Sequence, residues 1–267
     1  MSRLIRILII IFSTWAIVLV AGCLLQRKMI FYPEKLPRSE KFELAAGKNR
    51  EVFISTSDSQ VINGIFFNAD SPKGAIIYLH GNAGSLRSWQ YIWNDFKDFN
   101  YDLLLIDYRG YGKSTGKISE DGLYRDGEAC FQFLKSRGYD EKQTIVYGRS
   151  IGTGIAVELA LRKNCRSLIL ETPYTSLPDL ANNFYPFLLP KLFLSFRFNN
   201  LEKAPSIKCP VLILHGDFDE IIPVSHAHKL LGAFKSTKEI VIIPSGNHNN
   251  LSAFPEFQNA LRKFLAP

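Results

Sequence analysis

The sequence predicts an α/β protein in which a mostly parallel central sheet is flanked by helices and preceded by one apolar helix. Three observations predict it. Short continuous apolar runs ("AIIYLH", "YDLLLIDY", "SLILE", "VLILH") alternate with stretches of helical spacing. Runs that are apolar at every residue, not at alternate residues, belong to strands covered on both faces, the habit of parallel sheets. A serine between glycines, in "TIVYGRSIGTGIA" (Thr144–Ala156), stands where a β-type run gives way to a helical one.

The elements follow in order. "ILIIIFSTWAIVLVAGCLL" runs from Ile7 to Leu25, 19 residues without a charge. As a helix it would span roughly 28 Å, close to the apolar thickness of a bilayer. Arg3, Arg6, Arg27 and Lys28 bracket it, and Phe31 and Tyr32 follow as interfacial anchors. Residues 1–32 are therefore expected to be a membrane anchor or signal segment, an uncleaved single-pass anchor being favoured. The competing reading is a secretory leader. "VAGC" at Val20–Cys23 looks like a bacterial lipobox, which would place a lipid on Cys23. Basic residues are nearly balanced across the segment and leave its orientation open.

Pro33 and Pro37 then break the chain. "REVFIST" and "QVINGIFFNA" read as two β-runs joined at Ser57 and Asp58. The strand "AIIYLH" leads through a glycine loop to a helical stretch near Ser88–Phe99, and "YDLLLIDY" leads to a helix over Ser119–Arg137. Thr144–Tyr147 is followed by a helix within Ser150–Lys163, then by "SLILE" and an insertion over Pro173–Pro205. "VLILH", a helix from about Val224 to Phe234, the strand "EIVII" and a helix near Phe254–Leu265 complete the chain. Residues 40–267 are expected to form one domain.

With 267 residues, 46% hydrophobic and 21% charged, the chain can bury one sizeable core. Its net charge of +7 and pI near 9.2 would suit an anionic partner. No cluster resembles a nucleic-acid-reading motif, so the excess is assigned to the juxtamembrane basic residues and ordinary surface. Nucleic acid is not an expected partner. Cys23, Cys130, Cys165 and Cys209 are scattered without metal-ligand spacing. Cys165 and Cys209 each precede a strand and leave a pairing open, while buried small hydrophobes are the favoured reading. No metal or cofactor is expected, and the chain is expected to act as a monomer.

In a parallel sheet, ligands bind beyond the carboxyl ends of the strands. Ser150 sits at such an end, on a turn where a strained backbone can hold its hydroxyl exposed at a helix N-terminus. A serine becomes a nucleophile only when a base takes its proton and an acid orients that base. In this architecture the order is serine, acid, histidine. His248, in the loop "PSGNHNN" after the last strand, is the candidate base. Asp219 in "HGDFDEII" is the candidate acid, with Asp217 its nearest rival and Glu171, ending "LILE", a third choice. His80 and His215 end strands and read as structural, and His226 and His228 open a helix and read as solvated. Asp107 reads as a loop-organising carboxylate. The developing oxyanion needs two backbone N–H donors. Ile151 supplies one, and the "HGNAG" loop the other, at Asn82 or the adjacent Ala83.

"YLHGNAG", "IDYRGYGKSTG", "YGRSIGTG", "CPVLILHGDFDEIIP" and "SGNHNN" stand in the order found in the α/β-hydrolase superfamily, which the chain resembles from about residue 40 to its end. It is most similar to a branch containing membrane-associated protein depalmitoylases, whose N-terminus "QRKMIFYP" also resembles. It is similar as well to the prolyl-oligopeptidase-like and serine-aminopeptidase-like groups. The resemblance implies an α/β-hydrolase fold with Ser150 as nucleophile, Asp219 as acid, His248 as base and Asn82 in the oxyanion loop. The insertion, about 173–205, lies where many relatives carry a lid. Its "FYPFLLPKLFLSFRF" is expected either to pack on the core or to wall an acyl pocket through Phe184, Tyr185, Phe187 and Phe193. The expected activity is hydrolysis of an ester or thioester of a small-molecule or acylated substrate by a membrane-tethered serine enzyme. An aminopeptidase or amidase is the first alternative, and a non-catalytic membrane-associated binding module the second. A dehalogenase would need an acid in place of Ser150 and is excluded.

Overall fold

A computed structural model describes residues 2–44 and 48–266 of the chain. Its sheet has eight strands: β1 (Asn49–Ser55), β2 (Val61–Phe67), β3 (Ala75–Leu79), β4 (Asp102–Asp107), β5 (Thr144–Arg149), β6 (Ser167–Glu171), β7 (Val211–Gly216) and β8 (Lys238–Ile243). They lie in the order β1-β2-β4-β3-β5-β6-β7-β8. The β1–β2 and β2–β4 pairs are antiparallel, and every later pair is parallel.

The continuous apolar runs have the predicted cause. Ile77 and Leu79 of β3 join one core cluster while Ile76 and Tyr78 join another on the opposite face. Helices α2 (Glu120–Ser136) and α3 (Gly152–Arg162) contribute to the first cluster, and the C-terminal helix to the second. Two further helices, α4 (Leu177–Phe184) and α5 (Ser225–Ala233), precede the C-terminal α6 (Pro255–Phe264). Ser119 caps α2 by accepting from the Gly122 N–H, and Glu120 and Asp121 lie in its first turn, where the helix dipole favours negative charge.

The helical stretch expected near Ser88–Phe99 is broken into short turns, Leu86–Trp89 and Trp93–Phe96 with 3-10 segments between and after them. Its start is set by Ser85, which accepts from Arg87 N, and by Asp107, which accepts from Leu86 N. Its end is set by Asn100, which adopts the left-handed conformation at φ 57°.

The apolar N-terminal segment forms α1, Arg3–Ile30. None of its described residues is buried. Just after it, Tyr32–Pro33 pairs in parallel with Ala83–Gly84, so the chain leaving α1 is stitched to the "HGNAG" loop. At the amino ends of β6 and β7, opposite Ser150, Cys165 and Cys209 are free thiols with their sulfurs 3.4 Å apart.

Candidate active site

Ser150 follows β5 and precedes α3 with φ 51°, a left-handed conformation that strains a residue bearing a side chain. Its neighbours hold it there. The Ser150 N–H donates to Glu171 O at 2.9 Å, and Thr153 donates to Ser150 O from its N–H (2.9 Å) and its hydroxyl (2.7 Å). The flanking glycines are required for a different reason, close approach. A Cβ at Gly148 would stand 2.6 Å from the Ala156 Cβ, and one at Gly152 would stand 2.1 Å from Leu79 O. The G-x-S-x-G pattern is thus the imprint of α3 pressed against the ends of β5 and β3.

The loops after β7 and β8 bring Asp219 and His248 to the same place. His248 Nε2 lies 3.0 Å from Ser150 Oγ, and His248 Nδ1 lies 2.8 Å from Asp219 Oδ2. Asp219 Oδ1 accepts from the N–H groups of Ile221 (2.9 Å) and Ile222 (2.7 Å). Burial works to raise the Asp219 pKa. Hydrogen bonds from His215 and His248, the His248 charge and the Ile222 N–H outweigh it and hold the carboxyl well below its ordinary range. An ionised carboxylate at Nδ1 fixes the proton on that nitrogen and leaves Nε2 free to accept one from a hydroxyl.

The rival acids are engaged elsewhere. Asp217 Oδ1 accepts from Ser245 N at 2.7 Å, bracing the turn after β8. Glu171 lies 3.2 Å from Arg149 Nε and accepts from the Tyr147 hydroxyl at 2.7 Å. On the oxyanion side, Asn82 and Ile151 both border the cavity over Ser150. Neither backbone N–H finds an acceptor among the described residues. The Tyr111 hydroxyl donates to Asn82 O at 2.6 Å, and the Asn82 side chain donates to Ile30 O at the end of α1.

A family model described as the α/β hydrolase fold matches residues 74–204. The α/β hydrolase domain-containing protein 17B of Xenopus laevis is 33% identical over 198 residues, covering 73% of this chain and 67% of that protein. An uncharacterised protein of Mycobacterium tuberculosis is 31% identical over 250 residues, covering 90% of this chain and 87% of that one. The chain belongs to the α/β-hydrolase superfamily. Among solved structures, an esterase of Pyrococcus furiosus shares the fold with a TM-score of 0.71 at 21% identity, covering 88% of this chain and 97% of that chain.

In this α/β hydrolase a cavity of about 570 Å³ opens above Ser150, within the size range of small-molecule sites, roughly 300–1,000 Å³. Three of the four aromatic residues expected to wall it do so: Phe184, Tyr185 and Phe193. Phe187 does not border it. Its carbonyl accepts from the Trp15 indole N–H at 2.9 Å, and the ring is exposed. A Phe- and Leu-rich stretch gives no sign of which ring turns inward.

Sequence reasoning read His215 as structural without its partner and missed the places of His226 and Trp89. His215 is buried, and its Nε2 lies 3.3 Å from Asp219 Oδ2 and 2.8 Å from Ile222 O, so it braces Asp219. His226 is buried, not solvated: its Nδ1 lies 2.9 Å from the Thr175 hydroxyl and its Nε2 3.1 Å from Asn183 Nδ2. Its burial lowers its pKa below the ordinary imidazole value. Trp89 stacks on His80 at 5.3 Å, carries the Arg149 guanidinium on its ring, and donates to Ala83 O at 2.8 Å. It therefore joins the "HGNAG" loop to the turn that carries Ser150. A tryptophan in a broken helix carries no such signal in sequence.

Proposed function

We propose that this α/β hydrolase is a membrane-tethered serine hydrolase that cleaves carboxylic ester or thioester bonds through an acyl-serine intermediate. The observation that carries the reading is the hydrogen-bonded line from Asp219 to His248 to Ser150 Oγ, the serine lining a mostly apolar cavity. His248 Nε2 takes the Ser150 proton as Oγ attacks the substrate's carbonyl carbon. The Ile151 and Asn82 N–H groups hold the developing oxyanion, a contribution of about 10²–10³ each. His248 then gives the proton to the departing alcohol or thiol. Water repeats the sequence on the acyl-serine and frees the acid and Ser150. Asp219 keeps the imidazole oriented and stabilises its cation throughout.

Residues 1–32 anchor the catalytic domain, residues 40–267, at a bilayer. The support is one 28-residue helix near the N-terminus that contains an 18-residue stretch of mean hydropathy 2.7. An ester or thioester is preferred to a peptide amine because no carboxylate lines the cavity among the described residues, so nothing there grips a free amino group.

The test is labelling by a fluorophosphonate together with rates on p-nitrophenyl esters, acyl-CoA thioesters and aminoacyl amides. Labelling that requires Ser150, with esters or thioesters at least tenfold faster than amides, is expected. Absence of both labelling and hydrolysis overturns the reading, and faster amide cleavage replaces it with an amidase.

A further inference from the structure

Helix α1 borders the cavity over Ser150. Leu19, Gly22, Cys23, Gln26 and Met29 face it, a stripe with the three- and four-residue spacing of one helix side. The opposite wall comes from α4 and the segment after it, including Phe184, Tyr185 and Phe193. The two walls are fastened together. Trp15 Nε1 donates to Phe187 O at 2.9 Å, and Gln26 Oε1 accepts from the N–H (2.7 Å) and hydroxyl (2.8 Å) of Ser195. A helix that merely tethered the domain would need none of these bonds.

Two features show what this wall is open to. A Cβ built at Gly22 meets nothing within 4 Å, so the helix surface at that point fronts empty space. Trp15 lies ten residues before Leu25, about 15 Å along the helix. With α1 crossing a bilayer upright, the segment bonded to Trp15 is carried to about half the depth of a 30 Å hydrocarbon layer. Phe184, Phe187, Leu192 and Phe193 expose apolar side chains on this segment, and the Lys191 among them is paired with Asp179 at 2.9 Å.

Building on the serine-hydrolase reading, we propose that α1 is one wall of the acyl site and that Gly22 sets the length of acyl chain it accepts. The chain reaches Ser150 from the lipid layer, passing between α1 and the segment that follows α4.

The experiment uses the full chain in phosphatidylcholine nanodiscs, with kcat/KM measured on p-nitrophenyl acetate, octanoate and palmitate. Gly22→Leu and Gly22→Phe put bulk into the open space without weakening a helix, since either residue has higher helical propensity than glycine. The expected result is at least a tenfold fall in the palmitate-to-acetate ratio, larger for Phe. Leu24→Phe, on a side chain 78% exposed and away from the cavity, is expected to leave that ratio within twofold. An unchanged ratio in both Gly22 variants, or an equal fall in Leu24→Phe, overturns the role of α1 while the hydrolase reading stands. A wild-type protein that cleaves none of the three esters and takes no fluorophosphonate overturns the hydrolase reading, and this inference with it.

Discussion

The α-carbon of Gly152 lies so near the Leu79 carbonyl that any Cβ at position 152 would stand 2.1 Å from that oxygen. Backbone cannot swing aside as a flexible side chain can. Gly152→Ala is therefore expected to push α3 off the end of β3, with a stability loss of at least about 1–3 kcal/mol, the usual cost of overpacking. Thermal unfolding measures it. Fluorophosphonate labelling is expected to fall as well, because the same shift tilts Ser150.

Ser150→Ala removes the hydroxyl and little else. Turnover is expected to fall at least about 10⁴-fold, the residue left by oxyanion donors and binding alone. Tm is expected to stay within about 2 °C, since no packed group is lost. A variant that retains a tenth of the activity refutes Ser150 as the nucleophile.

Asp219→Asn keeps the shape of the loop but loses the charge that fixes the His248 tautomer, and kcat is expected to drop about 10⁴-fold. It also changes acid stability. The folded-state pKa of Asp219 is depressed, so its contribution is fully present above the unfolded value of about 3.9 and is lost as pH falls through the folded value. Wild type should therefore lose Tm more steeply than Asp219→Asn between pH 4 and pH 2. Parallel curves would mean that Asp219 is not held in its charged form by the fold.

Arg149 joins the elbow to the loop of the candidate base. Its Nη2 donates to His248 O (3.3 Å) and Asn249 Oδ1 (3.2 Å), while its Nε faces Glu171. Arg149→Met leaves a buried carboxylate without its cation, at a cost of about 3–5 kcal/mol. It also frees the His248 loop, for which a roughly tenfold to hundredfold loss in kcat is expected. Adding Glu171→Gln should restore part of the stability and none of the kcat. Recovery of both would reduce Arg149 to a charge partner.

Much of this was legible in sequence, and the reason is burial. β3 to β7 lie inside the sheet with both faces covered, so each wrote an unbroken apolar run. That Ser150, Asp219 and His248 would converge was legible because each sits beyond a strand's carboxyl end, a place that chain order alone defines. What stayed hidden depends on which way a side chain turns. Phe184 and Phe187 are the same residue type three positions apart, yet one borders the cavity and the other does not, its ring exposed. His226 opens a helix in the polar string "SHAHK", which looks like surface until Thr175 and Asn183 are seen to enclose it. The wall formed by α1 was hidden for a related reason. An apolar helix facing lipid all round and one facing a cavity on one side have the same composition.

The touching sulfurs of Cys165 and Cys209 take no part in the chemistry, but they offer a record of topology. Their cysteines stand 44 positions apart, so joining them closes a long loop. Covalent pairing persists in the periplasm or outside the cell and is reduced in the cytosol. Alkylating the chain as cells are lysed, then comparing its gel mobility with and without reductant, reads out the compartment directly. A faster-running oxidised band shows that Cys165 and Cys209 face an oxidising compartment, and alkylation of both shows that they face a reducing one.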